Sequence, residues 1–251
     1  MFEMSVPIQP KPHTPPVYTP QLHNETMQAL SIFLMRLDMM GHAGESEVLT
    51  LRQCADAMAD ALLDGIGSAY DLAQQVPLRD HQYAHPVKVA ELSMILARLA
   101  GAGRAQLRNT GMAALLMNAG YARLRTGLID REGAMTEVER ASIQTHPAAS
   151  VEILQDAGLS PESLEAIAQH HERWDGSGYP VGLKGKRISV YARIVGLADT
   201  YVALCSPRHH RPARPHLAVE EYFSVEAGDI YDPTIVRLLL EELPRHYHRP
   251  D

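Results

Sequence analysis

Cysteine is nearly absent: Cys54 and Cys205 are the only two in 251 residues, and their spacing is neither paired nor of a metal-binding type. That excludes a disulfide framework and a cysteine-based zinc site, and two reduced, buried thiols are expected. Basic excess is absent too, because 23 Lys and Arg stand against 30 Asp and Glu, for a formal charge of -7. Such a chain has no general attraction for DNA, RNA or an anionic membrane. No apolar run reaches the length of a membrane span, and the opening MFEMSVPIQPKPHTPPVYTP lacks the basic-then-apolar order of a secretion signal. A cytoplasmic setting is expected. Alternation with a period of two is also missing over any useful length, which leaves no basis for a sheet.

What remains is helical. The chain is 45% hydrophobic, and a chain of this length buries roughly 70 to 75% of its unfolded surface. One main domain with an appendage is expected. Residues 1–20 carry prolines at 7, 10, 12, 15, 16 and 20 and form a proline-rich tail. Residues 21–70 hold two amphipathic helices, marked by Met27, Leu30, Phe33, Leu34, Leu37 and Met40, then by Leu51, Cys54, Met58 and Leu62. They either pack on the main domain or form a dimerisation hairpin, which would make a homodimer. Residues 71–251 continue in helices. Val87, Ala90, Leu92, Ile95, Leu96 and Leu99 form a wide apolar face, and Thr136–Glu139, Ser160-Pro161 and Asp232-Pro233 are helix starts. The expected fold is an all-α bundle with an N-terminal helical extension.

Histidines and one aspartate carry the chemistry. His81 and His85 are four apart and share a helix face, His146 follows the helix begun at Thr136, and His170-His171 end the helix begun at Ser160. Asp199 lies in the apolar helical run IVGLADTY, where an ionised carboxylate needs a partner. Imidazole and carboxylate together suit zinc, iron or manganese.

The run HHERWDGSGYPVGLKG, His170 to Gly185, followed by ARIVGLADTYVAL, RHHRPA and YDPTIV, resembles the HD-GYP family over residues 75–245. These are bacterial metal-dependent phosphodiesterases of cyclic di-GMP, within the helical HD hydrolases. The resemblance implies an HD-type helical bundle and a cluster of metals held by residues matching His85, His146, His170, His171 and Asp199. It also implies phosphate contacts from Arg208 and Arg211, and a Gly178-Tyr179-Pro180 loop that docks GGDEF-domain partners. His209, His210, His246 and His248 read as loop or tail.

Several departures bear on activity. Where the family reads Leu-Leu-His-Asp-Ile-Gly-Lys, this chain has Leu115-Leu116-Met117-Asn118-Ala119-Gly120-Tyr121, and an ungapped count from there reaches His146. Val202 and Pro207 also stand where aspartates are usual. The missing aspartate would bridge two divalent ions, whose mutual repulsion at about 3.5 Å is roughly 19 kcal/mol at an effective dielectric near 20. Asn118 has an oxygen without charge, Met117 a thioether without imidazole, and Tyr121 no ammonium. A normal binuclear centre is therefore not expected, while His146, His170 and His171, with Asp199, remain enough for one divalent ion (Fe, Mn or Zn). The chain is expected to be a cyclic di-GMP signalling protein with lost or weak hydrolysis, an impaired or inactive phosphodiesterase. An active enzyme with an altered metal centre and a scaffold binding neither metal nor nucleotide are the alternatives.

Overall fold

A computed structural model describes residues 20–64, 81–124, 128, 133, 135–207 and 213–242, with the side chains of 20, 81, 82 and 216 left out. The proline-rich tail, the junction at 65–80, Arg208, His209, His210, Arg211, His246 and His248 lie outside the described residues, as does the side chain of His81. The helices are α1 (Pro20–Met40), α2 (Glu45–Asp64), α3 (His81–Leu99), α4 (Arg104–Leu116), α5 (Glu137–Ile143), α6 (His146–Leu154), α7 (Pro161–Gln169), α8 (Val190–Cys205), α9 (His216–Glu226) and α10 (Pro233–Glu242). Short 3-10 turns occupy Ala119–Arg123 and Gly185–Arg187. No strand occurs among the described residues.

The starts of three helices follow from local chemistry. Thr136 accepts from the Glu139 backbone N–H while the Glu139 carboxylate accepts from the Thr136 N–H, so two otherwise orphaned donors are satisfied before α5. Ser160 accepts from the Ser163 N–H ahead of α7, whose first residue is Pro161, and Asp232 accepts from the Thr234 N–H ahead of α10, whose first residue is Pro233.

Helix α3 is the axis of the bundle. Its residues from Val87 to Ala97 are all buried, lysine and glutamate included, and it packs chiefly on α4 and α8. The N-terminal pair does not stand apart: Leu30, Phe33 and Leu37 of α1 and Leu51, Met58 and Leu62 of α2 enter the same hydrophobic core as α3 and α4. Polar links reinforce this packing. His23 Nδ1 lies 2.5 Å from the Glu91 carboxylate, both buried, and Arg104 of α4 reaches Asp56 and Asp60 of α2.

One local expectation needs correction. Cys54 is a buried free thiol, but Cys205, the last residue of α8, is only half-buried. Helix α4 stops at Leu116, ahead of the Met117–Gly120 stretch. Ser150 of α6 intervenes: its Oγ donates to the Met117 carbonyl and accepts from the Gly120 N–H, taking main-chain groups that a longer helix would have used itself.

Candidate metal centre

Three short helix ends bring His146, His170 and His171 together. Their ligand atoms all lie within 4.8 Å of one another, the one group of three or more such side chains found among the described residues. His146 opens α6, and its Nδ1 is 2.7 Å from the carbonyl of Ile143, the end of α5. His170 caps α7, with Nδ1 2.7 Å from the carbonyl of Ile167. A carbonyl can only accept, so both Nδ1 atoms carry the proton and both Nε2 atoms present lone pairs. Those two nitrogens face each other at 3.3 Å.

Two lone pairs in that position repel unless a cation lies between them. Nitrogen ligands about 2.0–2.1 Å from a tetrahedral ion stand about 3.3–3.4 Å apart, which matches the observed separation. His146 and His170 thus fit one divalent ion with His171 as a third ligand close by, and the main-chain bonds of the first two fix ring and tautomer as such ligands require. Burial pushes all three histidines down, His170 to about 4 and His171 to about 2, with neighbouring imidazoles adding to the effect on the doublet. They are neutral at pH 7, the form that coordinates metal.

The remaining expected ligands are arranged differently. His85 Nε2 lies 2.7 Å from Asp199 Oδ1. Burial raises the Asp199 carboxyl, but the His85 hydrogen bond and the nearby imidazoles hold it well below the usual carboxylate range. The ionised carboxylate can only accept, so His85 Nε2 carries a proton there and offers no lone pair. Met117 is fully buried, and Asn118 is half-buried between α4 and the 3-10 turn. Tyr121 sets its ring 4.5 Å from that of His146. Neither Met117 nor Asn118 supplies a bridging charge, so the residues present do not fit a two-ion centre.

Tyr179 stacks on His171, with ring centroids 4.8 Å apart, so the Gly178-Tyr179-Pro180 loop borders the cluster. Arg208 and Arg211 lie outside the described residues. Three features of the site carry no periodic signal in the sequence. Ser150 ties the Met117–Gly120 stretch to α6. Arg173 donates to the His170 carbonyl and lies over Tyr231. Glu172 is buried and bonded to loop backbone. Glu172 had one legible clue, an acid placed directly after two histidines.

The HD domain family model matches residues 68–235. The chain is 32% identical over 175 residues to 3'3'-cGAMP-specific phosphodiesterase 2 of Vibrio cholerae, covering 68% of this chain and 34% of that protein. It is 33% identical over 173 residues to the cyclic di-GMP phosphodiesterase response regulator RpfG of Xanthomonas campestris, covering 67% and 46%. The chain thus spans a third to under half the length of these relatives. Among solved structures, Bd1817, an HDG"Y"P protein from Bdellovibrio bacteriovorus, superposes with a TM-score of 0.70 at 17% identity, over 88% of this chain and 69% of that one. That likeness concerns the fold, which is helical in both. With the family match spanning most of the chain, and with the helical bundle and the His170–Gly185 signature, this chain belongs to the HD domain family, in its HD-GYP branch.

Proposed function

We propose that this chain is a cyclic-dinucleotide signalling protein of the HD-GYP kind that holds one divalent ion on His146, His170 and His171 and binds nucleotide or a signalling partner with little or no hydrolysis. The facing Nε2 atoms of His146 and His170, 3.3 Å apart, carry this reading. They favour one ion, while Asn118 supplies no negative charge to hold a second beside it. When bound, such an ion supplies a Lewis acid and an acidified water. His146, His170 and His171 would fix it, Tyr121 and Tyr179 flank it, and the His85–Asp199 pair closes the neighbouring position. The relatives' names point to cyclic di-GMP or 3'3'-cGAMP as the nucleotide, and the Gly178-Tyr179-Pro180 loop to a GGDEF-domain partner.

An active phosphodiesterase with an altered centre is the second reading, favoured by the same intact histidine cluster. Metal analysis, cyclic di-GMP and cGAMP binding, and turnover to linear dinucleotide separate the two. One ion with binding and turnover about a hundredfold to a thousandfold below an intact relative, the usual cost of one missing electrostatic contact, supports the first. Robust turnover with added manganese or ferrous iron, abolished by His170→Ala, selects the second. Absence of both metal and nucleotide binding leaves only a scaffold.

Nucleotide affinity should depend on Arg208 and Arg211. Each charge-assisted phosphate contact contributes roughly 1.5 to 3 kcal/mol. The double alanine variant should therefore lose at least a hundredfold in cyclic di-GMP affinity, roughly what twice the lower figure implies. Unchanged affinity by calorimetry would remove these arginines from the pocket.

A further inference from the structure

Glu172 follows the histidine doublet and is almost fully buried, with 5% of its surface exposed. A buried carboxylate normally has a cationic partner or a metal. This one bonds instead to three successive backbone N–H groups: Oε1 accepts from Val181 at 2.8 Å and Gly182 at 3.2 Å, and Oε2 accepts from Leu183 at 2.8 Å. Consecutive N–H groups that converge in this way form an anion-binding nest. Gly182 supplies the conformation, with φ at +75°. The protein therefore fills the nest of this loop with its own side chain, through charge-assisted bonds about twice as strong as neutral ones.

The same loop grips His171 in other ways. The Tyr179 N–H donates to the His171 carbonyl at 3.2 Å, and the Tyr179 ring stacks on the imidazole at an interplanar angle of 23°. At Gly178 the two strands of chain lie so close that a Cβ would sit 2.4 Å from the Arg173 nitrogen and 2.5 Å from the His171 carbonyl oxygen. Ring, main chain and the Glu172 carboxylate thus all join residues 171–173 to 178–183. His171 cannot move relative to its two partners without moving the loop, and the loop cannot move without displacing His171.

We propose that Glu172 is a positioning residue that couples the three-histidine site to the 178–183 loop, so that metal occupancy and loop order form one equilibrium. The proposal rests on the one-ion reading above. Coupling of this kind is reciprocal: whatever stabilises the loop tightens the metal, and the metal stabilises the loop by the same factor. At the loop tip Pro180 is exposed and Val181 is 72% exposed, so occupancy would set how firmly this apolar tip is presented to a partner.

Hydrogen exchange at the Val181, Gly182 and Leu183 amides, measured in chelator and in saturating zinc, tests this in wild type, Glu172→Ala and Glu172→Gln. Zinc should slow exchange at all three amides in wild type. Glu172→Ala should expose them and weaken zinc binding about 10- to 100-fold, the usual cost of losing a group that orients a ligand. Glu172→Gln keeps one accepting oxygen but turns an NH2 group toward an N–H donor, so it should fold, hold part of the loop and lose about tenfold in zinc affinity, the low end of that range. A role in packing alone would lower stability while leaving the zinc affinity of folded protein unchanged. Wild type that takes up no zinc would overturn the one-ion reading and the coupling with it. Zinc uptake without any change at the three amides, or a folded Glu172→Gln variant with wild-type zinc affinity, would overturn the coupling alone.

Discussion

At the scale of single residues, the histidine cluster places a cost on the fold. Burial, reinforced by His146, depresses His170 to about 4 from the ordinary 6.5. Between those values the unfolded chain takes up a proton that the folded chain refuses, so stability is complete above pH 7 and falls as pH drops through 6.5 toward 4. The loss from this residue is about 3 kcal/mol. Asp199 acts in a separate window, below the ordinary 3.8 of its class, because its own depression stabilises the fold until it is protonated. Urea titrations in chelator across this range should show the first slope, to which His146 and His171 add, and His170→Gln should make it shallower by the share of one histidine. Repair is the second residue-scale prediction. Met117→His with Asn118→Asp restores an imidazole and a bridging charge. Without metal, the new buried imidazole should cost about 1–3 kcal/mol, and with manganese that loss should reverse as the ion count rises from one toward two per chain. A folded double variant that stays at one ion by elemental analysis would show that these positions no longer face the site. The histidines were legible as a motif, but the direct His85–Asp199 contact was not, because it joins residues 114 apart in sequence.

Among the elements, helix starts were readable wherever the chemistry is local. Thr136, Ser160 and Asp232 each cap as their sequence requires, since the bonds involved span two or three residues. The end of α4 was not readable, because Ser150, thirty residues away, decides it. The approach of α8 to the doublet was hidden for the same reason. A Cβ on Gly196 would lie 2.3 Å from the His170 carbonyl oxygen, so α8 packs directly on the main chain that carries the ligand. Gly196→Ala must therefore push α8 and His170 apart. We expect a folded protein with zinc affinity reduced by at least tenfold and stability lowered by about 1–3 kcal/mol, typical of overpacking. Wild-type zinc affinity in a competition assay would mean that the gap opens elsewhere.

Across the whole molecule, the N-terminal pair enters the same hydrophobic core as α3 and α4. Periodicity identified its apolar faces but not their target, which is why two arrangements stood open in the sequence. The His23–Glu91 contact shows how firmly α1 is tied to α3: both side chains are buried, and His23 Nε2 and Glu91 Oε2 have no hydrogen-bond partner among the described residues. Removing one member strands the other. His23→Leu and Glu91→Leu should each cost about 3–5 kcal/mol, while the double variant should cost clearly less than their sum, because no uncompensated polar group remains. Additive losses in urea denaturation would show that the pair contributes nothing as a pair. Length, acidity and helical patterning announced the overall architecture, whereas this cross-chain tie joins residues 68 apart and left no local trace.

The main-chain carbonyls that hold His146 and His170 also bear on how such a site can decay over evolutionary time. Ile143 and Ile167 hold the rings through backbone oxygen, a bond that does not depend on which side chain stands there, while the Ile167 side chain itself packs in the core. A lineage freed from selection for turnover could lose its bridging acid in one step and still keep His146 and His170 aimed, since these two bonds survive a change of side chain at the residues that supply them.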